Sequence, residues 1–278
     1  MSESTDAWRA VAAGWERQRP LFLESTRLVS ERLVELLDPR PGETILELAA
    51  GPGDTGLLAA GALAPGGHLV STDVAPEMVE AARRRAAELG LGELVSFAVE
   101  DMESLSFADA SFDGALCRWG LMLVPDMQAA ATEIARVLRP EGRIALAVWA
   151  DPDDNDWMTA AGRSAVDLGL VERPDPDAPG PFRLAREGAL ESLLTEAGLA
   201  VERVEEVAVT WRAASLDAWW EIARDTSRSL AVILESTTAE DAEAIRAGAE
   251  RRLERYVEAD GSLTVPGRTY VALARRPG

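Results

Sequence analysis

Lysine is missing from all 278 residues, and arginine carries every basic side chain. Schiff-base chemistry, which needs a lysine amine, is thereby excluded. Cysteine occurs once, at Cys117, which rules out an internal disulfide and any multi-cysteine metal site; no metal is expected. Histidine also occurs once, at His68. Basic charge is scarce overall, with 28 arginines against 48 acids and a formal net charge of −20. A surface of that sign repels phosphate backbones and anionic lipid heads, so nucleic acid is not an expected partner. No apolar run approaches the roughly 18 residues of a membrane span, and the opening residues are acidic rather than basic. A soluble cytoplasmic protein is the expectation.

What is present suffices for a large core, since 47% of the residues are hydrophobic. Trp8, Val11 and Trp15 stand at helical spacing, and after Pro20 a second amphipathic helix carries Leu21, Leu28, Val29, Leu33 and Leu36 to Asp38-Pro39. These helices are read as cover for a sheet edge, with Trp8, Trp15 and Phe22 as an alternative roof for a ligand pocket. From residue 44 the pattern alternates. Strands are expected at Ile45 to Ala50, His68 to Thr72, Leu94 to Val99, Phe112 to Cys117 and Arg143 to Trp149. Helices are expected at Asp54 to Ala64, Pro76 to Leu89 and Met127 to Leu138. Strands with helical crossovers at this spacing make βαβ units and a mainly parallel sheet, whose ligands bind beyond the carboxyl ends of the strands. His68 begins the second strand, at the end away from such a pocket.

Beyond Trp149 the aspartate-rich stretch Asp151 to Asp156 opens like a calcium loop, but it lacks the central glycine and has Gly162 where a bidentate glutamate is needed. Asn155 and Asp156 are read instead as helix caps. A helix from Arg186 to Ala197 precedes a long strand to Trp211. Ser215 caps a segment with Leu216, Trp219, Trp220 and Ala223 on one face, Thr238 and Asp241 form a capping box, and Thr269 to Ala274 is a last strand. No boundary separates independent domains. The chain reads as a single domain over 1–278, with an N-terminal helical segment 1–39, a cofactor-binding core 40–150, a loop and helix 151–185, and a sheet-completing part 186–278 with a helical insertion at 215–260.

The core is organised around Glu47-Leu48-Ala49-Ala50-Gly51-Pro52-Gly53-Asp54-Thr55-Gly56. Gly51 and Gly53 permit unusual backbone angles and close approach of a ligand. The stretch satisfies G-x-G-x-x-G, and Asp73 follows at about the distance of a ribose-binding acid, so an NAD(P)-dependent oxidoreductase is one reading. Glu47, inside the strand, suits a cationic ligand better than a pyrophosphate. Asp101, a second acid, ends the third strand.

With these residues in view, the chain resembles class I S-adenosylmethionine-dependent methyltransferases from about residue 40 to 150, most nearly the branch that methylates quinones and small molecules. Glu47 to Gly53 is similar to the family's first motif. Ser71 to Met78, Val99 to Met102, Phe112 to Arg118 and Arg136 to Arg143 are similar to its later segments. The resemblance implies a Rossmann-like, doubly wound, seven-stranded sheet, mostly parallel, with helices on both faces. It implies that Gly51 and Gly53 bring backbone against the cofactor's methionine part and that Glu47 supports its ammonium region. Asp73 would accept from both ribose hydroxyls, Val74 would lie on the adenine, Asp101 would take the adenine amino group and the Met102 N–H a ring nitrogen. Cys117 would offer its carbonyl to the ammonium. The family often has glycine where this chain has Ala49.

The resemblance implies methyl transfer to a small-molecule acceptor, leaving S-adenosylhomocysteine. A sulfonium methyl group is already activated, so positioning and exclusion of water supply much of the acceleration, and no catalytic residue is named. Acceptor-side candidates are Arg118, Trp119, Trp157 and Trp219, with Trp149, Trp211 and Trp220 near them in sequence. An uncharged or cationic, flat acceptor fits tryptophans and the acidic charge. A catalytically silent cofactor-binding protein is the remaining alternative, and homodimerisation is left open.

Overall fold

The computed structural model describes residues 3–278, with side chains from Ala13 onward, so Trp8 and Val11 lie outside the described side chains. The described chain divides into two compact units interleaved in sequence. One comprises residues 27–150, 177–207 and 269–278, and the other residues up to 26, 151–176 and 208–268. Each is built from several separate stretches, which is why no single linker marks a boundary.

The larger unit is founded on β1 (Thr44–Leu48), β2 (His68–Asp73), β3 (Val95–Val99), β4 (Phe112–Arg118) and β5 (Leu138–Trp149). The sheet has seven strands in the order β3-β2-β1-β4-β5-β7-β6, with β6 (Ala200–Ala213) and β7 (Leu263–Arg275) completing it. β1 to β5 pair parallel, and β7 runs antiparallel to β5. It is therefore a mostly parallel Rossmann-like sheet with helices around it. β1 is buried almost throughout, pairing on both sides, with β2 and with β4. The connecting helices are α2 (Asp54–Ala60), α3 (Pro76–Glu88), α4 (Met127–Val137) and, later in the chain, α6 (Ala189–Glu196). Pro76 opens α3 at a position where no N–H is needed, and Met78, Val79, Ala82 and Ala86 make its buried face. Asp126 caps α4 by accepting from the Ala129 N–H.

The expected break at Pro20 is absent. One helix, α1 (Glu3–Leu37), runs through it. Proline costs this helix one backbone hydrogen bond. In the smaller unit Trp15 packs on Phe22 across the proline, with ring centroids 4.3 Å apart, and so ties the flanking turns together. At its other end α1 buries Val29, Leu33 and Leu37 completely.

The smaller unit holds α5 (Asp156–Asp167), α7 (Leu216–Thr226), α8 (Arg228–Glu235) and α9 (Ala239–Leu253). Ser215 caps α7 and the Thr238–Asp241 capping box opens α9, both as expected. The expected caps of α5 are not formed. Asn155 turns its amide toward Arg268, accepting from the Arg268 N–H at 3.1 Å and donating to its carbonyl at 3.1 Å. Asp156 pairs with Arg255 and accepts from the Tyr256 hydroxyl at 2.8 Å. Local spacing could not reveal partners that arrive about a hundred positions later. No helix among the described residues is long and apolar enough to cross a membrane.

The C-terminus of α1 shows how the larger unit is closed. Its last carbonyls have no intrahelical partner, and the Arg143 guanidinium of β5 reaches the carbonyls of Leu37 and Asp38 while pairing with Glu43 at 2.8 Å. Arg143→Met should lower stability by about 2–4 kcal/mol, because it strands both the Glu43 carboxylate and those carbonyls. Urea denaturation of the two proteins at neutral pH measures the difference.

Candidate functional site

The site lies where β1, β2 and β4 reach their carboxyl ends. Parallel register sets Glu47 beside Ser71 and Leu48 beside Cys117. The Glu47 carboxylate is buried. One oxygen accepts from the Gly56 N–H at 2.5 Å and the other from the Ser71 hydroxyl at 2.8 Å, while Thr72 donates to the Glu47 carbonyl at 2.7 Å. Glu47 therefore braces the loop from below. Gly56 must be glycine for this to happen, since a Cβ there would stand 2.2 Å from the carboxylate. Burial pushes the Glu47 carboxyl up to about 7, against the pull of Ser71, Gly56 and Arg118.

Asp73 ends β2 and turns back over the loop. Its two oxygens accept from the N–H groups of Gly51 and Ala75, each at 2.9 Å. Burial raises its pKa, and the backbone donors, with Val74 among them, oppose the rise. A carboxylate has about four acceptor positions, so capacity for a hydroxyl donor remains. Gly51 is left-handed, with φ 55°, and no atom lies within 4 Å of the place its Cβ would take. An acid beside a glycine that opens on free space is a cradle that fits the ribose and methionine parts of S-adenosylmethionine. Gly53, with φ 84°, faces Ala82 of α3 instead, where a Cβ would come within 3.0 Å.

Ala49 stands where a glycine would cost nothing: its φ is 49°, a conformation that strains a residue with a Cβ by about 1–2 kcal/mol. Its methyl is accommodated by Gly120, where a Cβ would meet it at 2.4 Å, Cys117 Sγ at 3.1 Å and Met102 Cε at 3.2 Å. Gly120 thus gathers Ala49, Cys117 and Met102. The Cys117 thiol is wholly buried, and burial raises its pKa to about 11. Asp101 lies two residues beyond β3 rather than at its end; it is exposed, and it accepts from the Glu103 N–H at 3.0 Å. Val74 is half-buried.

Beyond β4, Trp119 is left-handed with φ 59°, stacked on Trp149 with centroids 4.1 Å apart, and held through its indole N–H to Thr269 at 2.8 Å. The Arg118 guanidinium lies 5.1 Å from the centre of the Trp119 ring and donates to Ser30, which shares a hydrogen with Thr55 at 3.0 Å. Trp157 and Trp219 belong to the aromatic core of the smaller unit. Trp157 stacks on Trp211 with centroids 5.5 Å apart, and the Trp219 indole donates to the Trp157 carbonyl at 3.2 Å. Both are buried. Ser30 and Gly120 are absent from the sequence motifs, and Ser71, Thr55 and Gly56 stand in them without a role of their own. Only Ser71 had a usable signal, since counting parallel register back from Asp73 sets it against Glu47.

Residues 46–146 match a family model described as a methyltransferase domain. Among similar proteins, nocamycin O-methyltransferase of Saccharothrix syringae is 42% identical over 124 residues, 45% of this chain and 44% of that protein. A demethylmenaquinone methyltransferase of Symbiobacterium thermophilum is 33% identical over 145 residues, 51% of this chain and 53% of the relative. The chain thus spans about half the length of these relatives. A solved S-adenosylmethionine-dependent methyltransferase from Aquifex aeolicus has a TM-score of 0.54 at 21% identity, covering 71% of this chain and 92% of its own. At that identity the likeness concerns the fold. The oxidoreductase reading gains no support from these similarities.

The raised Glu47 carboxyl makes a testable link to pH. The folded chain keeps this proton above 4.5, where the unfolded chain has released it, so the associated stability is full below about pH 4.5 and is lost as pH rises through 7. Glu47→Gln keeps an acceptor for Gly56 and offers a donor to Ser71 but does not titrate. Its stability relative to the parent should therefore climb between about pH 4.5 and 7, by a few kcal/mol at most. Urea denaturation across that range checks it; Asp73 titrates in both proteins and cancels from the difference.

Proposed function

We propose that this chain, whose residues 46–146 match a methyltransferase-domain model, transfers the methyl group of S-adenosylmethionine to a small-molecule acceptor. The observation that carries the reading is the Asp73 carboxylate bonded to the Gly51 N–H beside open space over Gly51. When bound, the cofactor supplies a methyl group activated by its sulfonium. The chain's part is to hold, orient and exclude water.

Asp73 accepts from the ribose hydroxyls and Val74 lies against the adenine. Asp101 and the Met102 N–H take the adenine's edge, a role that the exposed position of Asp101 leaves accessible. Gly51 lets the loop approach the methionine part while Gly53 lets it pack on α3, and the Cys117 carbonyl, near the end of β4, accepts from the cofactor's ammonium. Glu47 serves that region from beneath, by fixing the loop through Gly56. Trp119, locked by Trp149 and Thr269, is the fixed wall on the acceptor side. Such a wall suits a flat acceptor, and the charge of −20 favours a neutral or cationic molecule over nucleic acid. Trp157 and Trp219 are core residues of their own unit and are not assigned to the acceptor.

Calorimetry on the full chain should detect S-adenosylhomocysteine binding in the micromolar range, and Asp73→Ala should weaken it at least about tenfold. Unchanged affinity in that variant would refute the ribose assignment. Mass spectrometry of a panel of phenols, quinols and amines incubated with S-adenosylmethionine should reveal a methylated product. Cofactor binding without transfer to any member would favour the silent binding protein.

A further inference from the structure

Asp101 and Met102 stand in residues 100–111, a connection between β3 and β4 that has no regular secondary structure up to Ala110. Such connections are ordinarily the mobile parts of a sheet's rim. This one also carries four acids, Glu100, Asp101, Glu103 and Asp109, and no basic residue, so its own charges push it apart. Local bonds close its first half into a ring. The Ser106 N–H and hydroxyl both donate to Glu100, and the Ser104 N–H donates to the Asp101 carbonyl at 2.9 Å. The Glu100 N–H joins the ring to β2 by donating to the Asp73 carbonyl at 3.1 Å.

The other side of the ring is held by α4, and chiefly by two of its side chains. Glu133 accepts from the Leu105 N–H at 2.8 Å, while Arg136 donates to the Leu105 carbonyl at 3.0 Å and to the Phe107 carbonyl at 2.8 Å. Both backbone polar groups of Leu105 are thereby taken by one ion pair. That pair is itself fork-shaped: Arg136 Nε donates to one Glu133 oxygen at 2.7 Å and Nη2 to the other at 2.8 Å. Arg136 also pairs with Asp109 at 2.8 Å, which offsets part of the connection's negative charge. At the start of α4 the Asp126 N–H donates to Glu103 at 2.6 Å. Met102 and Leu105 bury their side chains, whereas Asp101 is exposed.

We propose that Glu133 and Arg136 are positioning residues for recognition of the cofactor's base: by clamping Leu105 and Phe107 they set where Asp101 and the Met102 N–H stand. Both act through the connection, from a helix that the adenine role proposed above does not involve. The inference rests on that role and on the methyltransferase reading.

Calorimetry on the full chain with two probes reads this placement: S-adenosylhomocysteine, and its 6-deamino analogue, in which hydrogen replaces the adenine amino group and every other group is kept. The parent should bind the first about tenfold more tightly, since only that probe gives Asp101 a donor. Asp101→Ala removes the acceptor and should bring the two affinities within about twofold of each other. Arg136→Met should do the same with Asp101 still present, because the released ring no longer holds the carboxylate in place. Glu133→Ala should likewise lose the preference, and Glu133→Gln, which still accepts from the Leu105 N–H, should keep most of it. A pair that served stability alone would leave the preference intact while weakening both probes equally, and that result in Arg136→Met and Glu133→Ala overturns the proposal. A parent that binds both probes alike overturns it too but leaves the methyltransferase reading standing; a parent that binds neither takes that reading down with it.

Discussion

A carboxylate sealed at the end of an apolar strand is costly to keep, and the loop of the candidate site depends on the one at Glu47. Its two oxygens join the first residues of α2, through the Gly56 N–H, to the side chain of Ser71 on β2. Three elements that are separate in sequence are thereby fixed at a single point. The backbone of Gly51 can then meet Asp73 from the neighbouring strand end, and the glycine at 56 exists to leave room for the carboxylate. The acid of the loop is thus chiefly a structural member. The surfaces for a ligand are the residues it keeps in place.

A division of labour follows among charges of the same sign. Glu47 is turned inward and satisfied by the protein, Asp73 is buried with its oxygens on the N–H groups of Gly51 and Ala75, and Asp101 stands exposed. Their order of burial is compatible with the roles proposed for them, a brace for Glu47, a hydroxyl acceptor for Asp73 and an accessible acceptor for Asp101. On the other flank, Trp119 is stacked on Trp149 and has the Arg118 guanidinium beside its ring, contacts that limit the rotation of all three side chains.

The strands from β1 to β5 and their crossover helices were legible because each carries its own signal: an apolar run, a glycine or proline at the turn, a cap at the helix start. Glu47 within β1 and Asp73 at the end of β2 were legible for the same reason, whereas Asp101 lies two residues beyond β3; the structure brings Asp73 to Gly51, and Met102 to Cys117 through Gly120. What escaped depends on partners distant in sequence. The helix through Pro20 is sustained by Trp15 against Phe22, Asn155 is claimed by Arg268, and Trp157 and Trp219 are buried by one another and by Trp211. The interleaving of the two units was invisible because each is assembled from several stretches, none bounded by a composition change. Glu47 was legible as a site residue but not as a brace, since that role rests on Ser71 and on the missing side chain of Gly56.

The contact between Ala49 and Gly120 has a consequence for how such chains can change over time. A methyl at 49 occupies the space that a methyl at 120 would need, so the two positions share room for one side-chain carbon between them. The order of substitution then matters. While 49 is alanine, as here, 120 is held as glycine; alanine at 120 would in turn require glycine at 49 and some yielding around Cys117 and Met102. Exchange of one arrangement for the other passes through glycine at both positions, so the pair is coupled although each residue taken alone looks interchangeable.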